Sequence, residues 1–545
     1  MRRYIGARRY LTQFDTWRMP HVYCGVLIVG SGVAGLRAAI AAAQHTKVLI
    51  VTKREPDDSN TNKAQGGIAA VVSKTDSFED HIADTLAAGH GLCDPDVVDF
   101  VVRQAPTRIG ELADWGAQFD RHGDQFALGL EGGHSTSRIV QARGDATGFE
   151  VAQTLLKRMR ANGDIQLVDH AYAVDLLTTD QGCVGAVIAD KRWGMILVWA
   201  KRVILATGGS GQLYRETTNP EIATADGMAI AYRAGAELRD LEFVQFHPTT
   251  LYVAGAARTL ISETLRGYGA ILRNRDGEAF MSRYHPDGDL APRDTVSRAI
   301  IEEMRRTNTG HVSLDLTHLQ SAHVLERFPT LRSLCADFDI DIASDLISIR
   351  PSAHYGMGGI TVDHDGRTTV SGLLAAGEVS NTGLHGANRL GSNSLLEGLV
   401  YGLHTGDLAG REAASLPDQS PVRLQSDFTP PRRAAINLTD MRNSLRSLMT
   451  RNVGIERIKN ELVEGERSID FWCSYVMEQE FTSPEGWELQ NMLIMAKLIT
   501  VSADHREETR GAQYRIDFPK LDDVRWKSHI TVSMPGGLKT SPLPL

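Results

Sequence analysis

Val26-Leu27-Ile28-Val29-Gly30-Ser31-Gly32-Val33-Ala34-Gly35 is the stretch of this 545-residue chain that decides the fold. Four apolar residues predict a short strand, three glycines form a Gly-x-Gly-x-x-Gly pattern, and an alanine-rich helical segment continues to about residue 44. Residues 47–52 predict the next strand. The glycines allow a tight turn and let a pyrophosphate approach the positive end of the helix. The stretch therefore predicts a Rossmann-like dinucleotide-binding domain.

Two later glycine loops indicate which dinucleotide is bound. Residues 202–206 lead into Thr207-Gly208-Gly209-Ser210-Gly211, and Leu373-Leu374-Ala375-Ala376-Gly377-Glu378 forms a third strand-plus-glycine segment. FAD is long and contacts distant segments, so this arrangement favours FAD over NAD. The acidic residue that usually holds the ribose after the second strand is replaced by Thr52 and Lys53, so the ribose must be held differently.

A further segment points to the same ligand from the other end of the chain. His385-Gly386-Ala387-Asn388-Arg389-Leu390-Gly391-Ser392-Asn393-Ser394-Leu395-Leu396-Glu397-Gly398 runs directly into an apolar helical pattern. Backbone N–H groups at a helix start suit an anion or an electron-rich ring. An ordinary capped helix would explain residues 392–396, but it would not explain Arg389 and His385 beside them.

Composition excludes several classes of protein. The chain is 42% hydrophobic and 23% charged, as soluble globular proteins are, and its formal net charge of -9 argues against a nucleic-acid partner. Five scattered cysteines without a CxxC pair predict neither a disulfide framework nor a cysteine-ligated metal or iron–sulfur site, and we predict no metal site. Arg37 interrupts the longest apolar stretch, so no membrane span is predicted.

Residues 1–22 carry five arginines against a single acidic residue, Asp15. The serine enrichment of a transit peptide is missing, and Met19 is an alternative start. We therefore expect a disordered or mis-assigned N-terminal extension on a cytoplasmic enzyme.

The length requires more than one domain. We predict an α/β fold in which residues 23–240 and 346–422 form the Rossmann-like FAD-binding domain. Residues 241–345 would form an inserted α+β capping domain. After Pro430 and Pro431, residues 423–545 would form a C-terminal helical domain, with helical apolar spacing over residues 434–448 and 487–500.

Six ordered blocks extend these motifs over most of the chain. They are Ala64-Gln65-Gly66-Gly67-Ile68, Phe246-His247-Pro248-Thr249, Leu265-Arg266-Gly267, Ala291-Pro292-Arg293-Asp294, His354-Tyr355-Gly356-Met357-Gly358-Gly359 and residues 385–397. Together they resemble the flavoprotein family of succinate dehydrogenase, fumarate reductase and L-aspartate oxidase. The resemblance runs from about residue 25 to residue 520.

Two positions separate the members of this family. Membrane-complex members usually attach FAD through a histidine in Ser-His-Thr, whereas Ser59-Asn60-Thr61 stands here, and an amide cannot form that bond. The resemblance therefore implies non-covalent FAD. Glu131, before Gly132-Gly133, replaces an apolar residue of dicarboxylate-only members and would pair with the ammonium group of aspartate. Gln513 replaces a usual histidine in the family's Arg-Gly-x-His-x-Arg pattern, with no consequence that we can predict.

The resemblance also implies the roles of individual residues. Arg293 would transfer the proton, and Arg389, His247 and His354 would clamp the substrate carboxylates, with the two histidines also candidates for catalysis. Ser262-Glu263 stands where the family has a Thr-Glu pair at the edge of the cap. Cofactor contacts are predicted for Gly30, Ser31, Gly32, Ala34, Gly35, Thr52, Lys53, Asn60, Gln65, Gly66, Gly67, Ala206, Thr207, Gly208, Gly209, Asp226, Glu378, Arg389, Ser392, Ser394 and Leu395.

The predicted reaction is oxidation of L-aspartate to iminoaspartate, with oxygen (giving hydrogen peroxide) or fumarate as the acceptor. The product would pass to quinolinate synthase in NAD biosynthesis. The alternatives are a soluble fumarate reductase, the flavoprotein subunit of a succinate dehydrogenase, or a catalytically silent flavoprotein. The last would require a broken Arg/His clamp, and all four clamp positions are occupied.

Overall fold

The computed structural model describes residues 8–253, 258–431 and 435–543. Within these ranges the α-helices are Val33–Ala42, Phe78–Ala88, Pro95–Asp114, Thr147–Arg160, Asp226–Arg233, Thr264–Gly267, Arg293–Arg306, Ser321–Arg327, Pro329–Ala336, Asn393–Ser415, Leu438–Asn452, Lys459–Val476, Pro484–His505 and Asp523–Trp526. Short 3-10 turns are Thr16–Arg18, Gly211–Leu213, Met281–Arg283 and Gly288–Leu290.

The strands of the described residues belong to six sheets. They are Phe14–Asp15, His21–Val29, Val48–Val51, Ile68–Ala69, Arg121–His122, Gln125–Phe126, Leu128–Gly129, Ile139–Val140, Ile165–Val168, Ala171–Thr179, Gly182–Asp190, Gly194–Leu205, Leu238–Arg239, Val244–Leu251, Ile271–Arg273, Val312–Asp315, Ile347–Gly356, Gly359–Thr361, Leu373–Ala375, Ser380–Asn381, Gln425–Ser426, Ser528–Ser533 and Gly537–Pro542.

The largest sheet has seven strands and carries the predicted dinucleotide fold. His21–Val29 lies between Val48–Val51 and Gly194–Leu205, and all three run parallel. Leu373–Ala375 also pairs parallel with Gly194–Leu205. The three strands that end in glycine loops are therefore neighbours, and their carboxyl ends open at one edge of the sheet, where α/β proteins bind their ligands.

A glycine repeated every four residues lets a late helix pack closely against the first helix beside this sheet. In the helix Asn393–Ser415, Gly398, Gly402, Gly406 and Gly410 recur every four residues and so lie on one face. A Cβ atom at Gly406 would lie 2.3 Å from the carbonyl oxygen of Ala38, in the alanine-rich helix Val33–Ala42. The glycines permit backbone-to-backbone packing, which places the start of the late helix next to the first glycine loop.

The inserted segment has its own apolar core. Buried residues between Leu251 and Ile349 form a separate cluster, and four antiparallel strands support it in the order Val244–Leu251, Ile347–Gly356, Val312–Asp315 and Ile271–Arg273. The helix Arg293–Arg306 packs on the first of these strands. The predicted cap therefore has both helices and strands.

The C-terminal segment is mainly helical, and it also completes a sheet. Leu438–Asn452, Lys459–Val476 and Pro484–His505 pack against one another, while the hairpin Ser528–Ser533 and Gly537–Pro542 adds to Leu238–Arg239. The helix predicted over residues 434–448 begins at Leu438, and residue 434 lies outside the described residues.

The expected disorder of residues 1–22 is wrong for the part that the structure describes; residues 1–7 lie outside it. Leu11 and Phe14 are buried in the main core, and Phe14–Asp15 pairs antiparallel with Gln425–Ser426. Apolar residues spaced among the arginines give this segment enough buried surface to be ordered.

Over the described part of the chain, no helix is both long enough and apolar enough to cross a membrane. Among the same residues, no group of three His, Cys, Asp or Glu side chains is placed to hold a metal ion.

Candidate active site

A long cavity runs from the carboxyl edge of the seven-stranded sheet to the cap. It contains about 1710 Å³ of space free of atoms, part of it open to solvent. The three strand-ending loops and the start of the helix Asn393–Ser415 form one half, and the cap closes the other. One elongated ligand could therefore contact all of the segments that the sequence predicted to share it.

The first glycine loop is shaped for a backbone-to-ligand contact. Gly30 has φ +108°, and a Cβ atom there would lie 2.2 Å from the carbonyl oxygen of Ala206. Gly32 precedes the helix Val33–Ala42 without a side-chain cap, and the N–H of Val33 donates to Thr61 Oγ1 at 3.0 Å. The N–H groups that follow in the first turn remain for a ligand. Gly35 lies behind the wall and packs on Gly30, which is the role expected of the third glycine.

An unpaired hydroxyl marks the same wall. Thr207 Oγ1 is buried and has no hydrogen-bond partner in the structure, although Thr207 lines the cavity. Buried polar groups are nearly always paired, so this one fits a polar ligand group. Gly209 lies behind the wall, where a side chain would collide with the carboxyl group of Glu378.

At the end of the second strand, Lys53 forms ion pairs with acidic residues from later in the chain. Lys53 Nζ lies 2.7 Å from Asp226 Oδ2 and 2.6 Å from Glu488 Oε1 of the C-terminal segment. Thr52, Lys53 and Asp226 all line the cavity. An acidic group therefore reaches this end of the cavity from residue 226, although the chain has none directly after the second strand.

The helix Asn393–Ser415 presents its start to the cavity. Its N-cap, Ser392, has φ +62° and makes no side-chain capping bond. Ser392, Ser394 and Leu395 line the cavity. The exposed pole of a 23-residue helix favours negative charge at this point.

Asn60 faces a buried carboxyl group. Asn60 Nδ2 donates to Glu378 Oε2 at 3.1 Å, and the backbone N–H of Gly356 donates to Oε1 at 3.2 Å. Burial raises the pKa of Glu378 to about 7. Gln65, Gly66 and Gly67 line the same wall. The side-chain amide of Asn60 therefore binds Glu378, which lines the same cavity.

The cap half of the cavity gathers every residue predicted to hold the substrate. They are Glu131, His247, Ser262, Glu263, Arg293, His354 and Arg389. They come from six separate stretches of the chain, and all are buried apart from His354, which is partly exposed.

Arg293 stands at the centre of this group. It is the first residue of the helix Arg293–Arg306, and its Nε donates to Glu263 Oε2 at 2.5 Å. Arg266 Nη2 donates to the other oxygen of Glu263 at 2.5 Å. Burial would raise the pKa of Glu263, but the two arginines outweigh it and lower the pKa below its ordinary value. Glu263 is therefore held as an anion between two cations.

Glu131 is the second carboxylate of the site. Its Oε2 lies 3.6 Å from Arg293 Nη2 and accepts a hydrogen bond from Ser392 Oγ at 2.9 Å. Only 2% of the residue is exposed, and burial raises its pKa above the ordinary value. This carboxylate has one hydroxyl partner and a more distant arginine, so it can still accept a cationic group from a ligand.

The two predicted histidines lie side by side. Their ring centroids are 5.1 Å apart, and His354 Nδ1 is 2.8 Å from Thr218 Oγ1. Burial, followed by the nearby arginines, holds the pKa of both rings well below the ordinary value. Both rings are therefore neutral at pH 7 and can donate hydrogen bonds without adding charge.

Two residues that orient the arginines were not predicted. Gln245 Oε1 accepts from Arg293 Nη1 at 3.3 Å and from Arg389 Nε at 3.2 Å. The guanidinium of Arg389 also lies 4.4 Å from the ring centre of Tyr355. Gln245 is two residues before His247 in one strand, so the two-residue repeat of a strand could have identified it.

His385 is not a ligand-binding residue in this geometry. Its Nε2 lies 3.1 Å from Glu397 Oε2, and Tyr355 OH lies 3.3 Å from the same nitrogen. It is buried outside the cavity wall. His385 lies close to Arg389 in the sequence, but its buried glutamate partner holds it inside the fold, outside the cavity wall.

The family models agree with this geometry. Residues 25–395 match the model of an FAD binding domain, and residues 442–541 match the model of the fumarate reductase flavoprotein C-terminal region. The first match covers the glycine loops, the cap and the start of the late helix.

Curated relatives match over nearly the whole chain. The L-aspartate oxidase of Streptomyces coelicolor is 40% identical over 93% of this chain and 91% of its own length. The L-aspartate oxidase of Pseudomonas aeruginosa is 39% identical over 92% of this chain and 96% of its own length. Among solved structures, the FrdA chain of a mutant E. coli quinol fumarate reductase is 34% identical, with a TM-score of 0.89 over 97% of this chain and 98% of that chain.

Proposed function

This chain belongs to the L-aspartate oxidase family of FAD-dependent flavoproteins, and we propose that it oxidises L-aspartate to iminoaspartate in the cavity described above. FAD is its cofactor. We place the cofactor along the three glycine loops and the start of the helix Asn393–Ser415, and the substrate under the cap.

The position of Glu131 carries the proposal. L-aspartate has two carboxylates and one ammonium group, so its site needs several cations or donors and one anion. Arg293, Arg389, His247 and His354 supply the donors, and Glu131 lies among them with its carboxylate facing the same space. A plain dicarboxylate would be repelled by that anion, whereas aspartate would pair with it through a charge-assisted hydrogen bond.

The arginines provide the charge of the clamp. Burial, and then the neighbouring Arg293, lower the pKa of Arg389 to about 10, which keeps it cationic at pH 7. The neutral histidines then contribute directed hydrogen bonds. The positive charges of Arg293 and Arg389 then pair with the two carboxylates of aspartate, and Glu131 pairs with its ammonium group. The charges of enzyme and substrate therefore balance.

Arg293 is placed to move the proton. Bound FAD supplies a hydride acceptor for the substrate carbon. Arg293 points toward the same space as Glu131, and Glu263 and Arg266 continue from it as a chain of 2.5 Å hydrogen bonds. Oxidation of the substrate releases a proton, so Arg293 must first pass its own proton on before it can accept one. Glu263, which accepts hydrogen bonds from both arginines, is positioned to take that proton, which offsets the reluctance of arginine to give one up.

The remaining assignments complete the proposal. FAD is held non-covalently because Asn60 cannot form the histidyl bond. Oxygen, giving hydrogen peroxide, or fumarate, giving succinate, takes the electrons. The product passes to quinolinate synthase in the cytoplasm.

One experiment tests the function. Oxygen-free protein with bound FAD is mixed with L-aspartate or with succinate, and the flavin absorbance near its visible maximum is followed. We expect L-aspartate to bleach the flavin and succinate to bleach it far more slowly. Bleaching by succinate alone would support the alternative, a fumarate reductase or succinate dehydrogenase flavoprotein.

A further inference from the structure

A buried histidine outside the cavity wall connects the two loops that hold the Glu131 carboxylate. His134 belongs to the same loop as Glu131, and its Nε2 lies 3.1 Å from the carbonyl oxygen of Gly391. Its Nδ1 lies 3.2 Å from Arg138 Nη1. Only 8% of His134 is exposed.

The partners of His134 fix where its proton sits. Arg138 is fully buried and forms ion pairs with Asp76 and Asp84, which outweigh its burial and raise its pKa above the ordinary value. A guanidinium has no acceptor, so it must donate to Nδ1. The proton is then on Nε2, where it is donated to the Gly391 carbonyl.

This hydrogen bond controls more than one residue. In a trans peptide, the C=O of Gly391 and the N–H of Ser392 point in opposite directions, so fixing the carbonyl fixes the plane of the whole peptide. Ser392 is the residue whose Oγ donates to Glu131 Oε2 at 2.9 Å. His134 therefore connects the loop that carries Glu131 to Ser392, the residue whose hydroxyl group donates to Glu131.

The two loops pack closely around the Glu131 carboxylate. A Cβ atom at Gly391 would lie 2.5 Å from Glu131 Oε2 and 2.7 Å from Arg293 Nη2. A Cβ atom at Gly132 would lie 2.7 Å from Glu263 Oε1. The two loops approach each other through glycine backbone, so a small displacement of either changes the distance from Glu131 to the substrate position.

The loop is anchored away from the cavity as well. Asp84, on the helix Phe78–Ala88, accepts hydrogen bonds from the backbone N–H and the hydroxyl of Ser135, each at 2.8 Å. Arg138 joins the same carboxylate. Besides the hydrogen bond from Ser392 Oγ to Glu131, the anchored loop reaches the Gly391–Ser392 segment through His134, which contacts its backbone.

We propose that His134 is a positioning residue that aligns Glu131 with the ammonium group of the substrate and so sets the preference for an amino dicarboxylate over a plain one. The proposal rests on the proposed function, because only an aspartate-oxidising site needs this alignment. His134 does not line the cavity and acts through Glu131 and Ser392.

The test compares three replacements of His134. His134→Phe keeps a ring but loses both hydrogen bonds. His134→Asn can still accept from Arg138 but is too short to reach Gly391, and His134→Gln can reach Gly391 with an amide N–H. For each variant, kcat and KM are measured for L-aspartate oxidation and, with a reduced viologen dye, for fumarate reduction. Flavin content and Tm are recorded, and His404→Gln is the control, since His404 pairs with Gln104 outside the cavity wall.

We expect His134→Phe and His134→Asn to lower kcat/KM for L-aspartate by about 10- to 100-fold, mainly through KM, and fumarate reduction by less than about 3-fold. His134→Gln should restore the wild-type ratio of the two reactions. Equal losses in both reactions, or an unchanged ratio in the Asn variant, would overturn the proposal. If the Phe variant does not bind flavin, the Asn and Gln pair decides alone. A wild-type enzyme that does not oxidise L-aspartate would overturn the proposed function instead.

Discussion

Arg293 donates a hydrogen bond from Nε to Glu263 at 2.5 Å, so the residue proposed to move the proton is anchored within the cap. The second arginine on Glu263, Arg266, is fully buried and also contacts the backbone of Asp289. With this anchor in place, Arg293 Nη1 donates to Gln245, and Nη2 lies 3.6 Å from Glu131 beside the proposed substrate position. A cation at the first position of a helix is disfavoured by about 0.3–1 kcal/mol, and the glutamate partner offsets that cost.

Replacing Arg293 should therefore affect the chemical step. Arg293→Leu is expected to lower kcat by about 100- to 10,000-fold at saturating substrate, because proton transfer contributes only at the barrier. Steady-state kinetics with L-aspartate measure it, and exposed Arg332→Leu on the cap is the matched control. A near-normal kcat would move the role to His247 or His354.

The clamp residues should behave differently. Arg389→Leu and His354→Ala are expected to raise KM for L-aspartate and for fumarate more than they lower kcat, since a carboxylate clamp acts in both the ground and transition states. Both reactions depend on the clamp, so both substrates should be affected to a similar degree. A loss confined to kcat would show that these residues act in the chemistry.

Replacing Glu131 should affect L-aspartate oxidation and fumarate reduction differently. Glu131→Gln is expected to weaken L-aspartate oxidation by about 2–5 kcal/mol in kcat/KM, because the ammonium loses its charged partner. Fumarate has no ammonium and is repelled by the carboxylate, so its reduction should not fall in this variant. Exposed Glu464→Gln is the control. If both reactions fall equally, Glu131 is only a structural residue.

The parts of this molecule that local patterns determine could be predicted from the sequence. The glycine loops follow from turn chemistry, whereas the residues of the clamp came from the family resemblance, and one cavity brings both sets together. Contacts across the fold could not be predicted, such as Glu488 reaching Lys53 from a helix 435 residues away. The partner of His385 could not be predicted for the same reason, because Glu397 lies in the following helix, whose direction depends on tertiary packing.

Buried neutral histidines should make the protein sensitive to acid. Burial lowers the pKa of His81 to about 3, whereas in the unfolded chain it is about 6.5. Between these values only the unfolded state binds the proton, so stability is full above pH 6.5 and falls as the pH falls toward the folded pKa. His81→Gln should reduce the slope of unfolding free energy against pH by up to about 1.4 kcal/mol per unit between pH 4 and 6. Urea unfolding at several pH values measures it, and exposed His323→Gln should leave the slope unchanged.

Asn60 determines how the flavin is attached. The side chain donates to Glu378 at 3.1 Å and offers no nucleophilic nitrogen, so FAD should be released when the protein is denatured by acid or heat. The supernatant after precipitation should contain the flavin in a 1:1 ratio to protein, measured by absorbance. Asn60→Leu should weaken FAD binding by about 5- to 10-fold, because Asn60 lines the cavity and its loss leaves the cavity-lining carboxyl group of Glu378 without the donor that holds it in place. Titration of the flavin-free protein with FAD, followed by fluorescence quenching, measures this change, with Asn460→Leu at an exposed helix position as the control. Flavin that stays with the precipitate would show a covalent bond to another residue and would overturn the assignment.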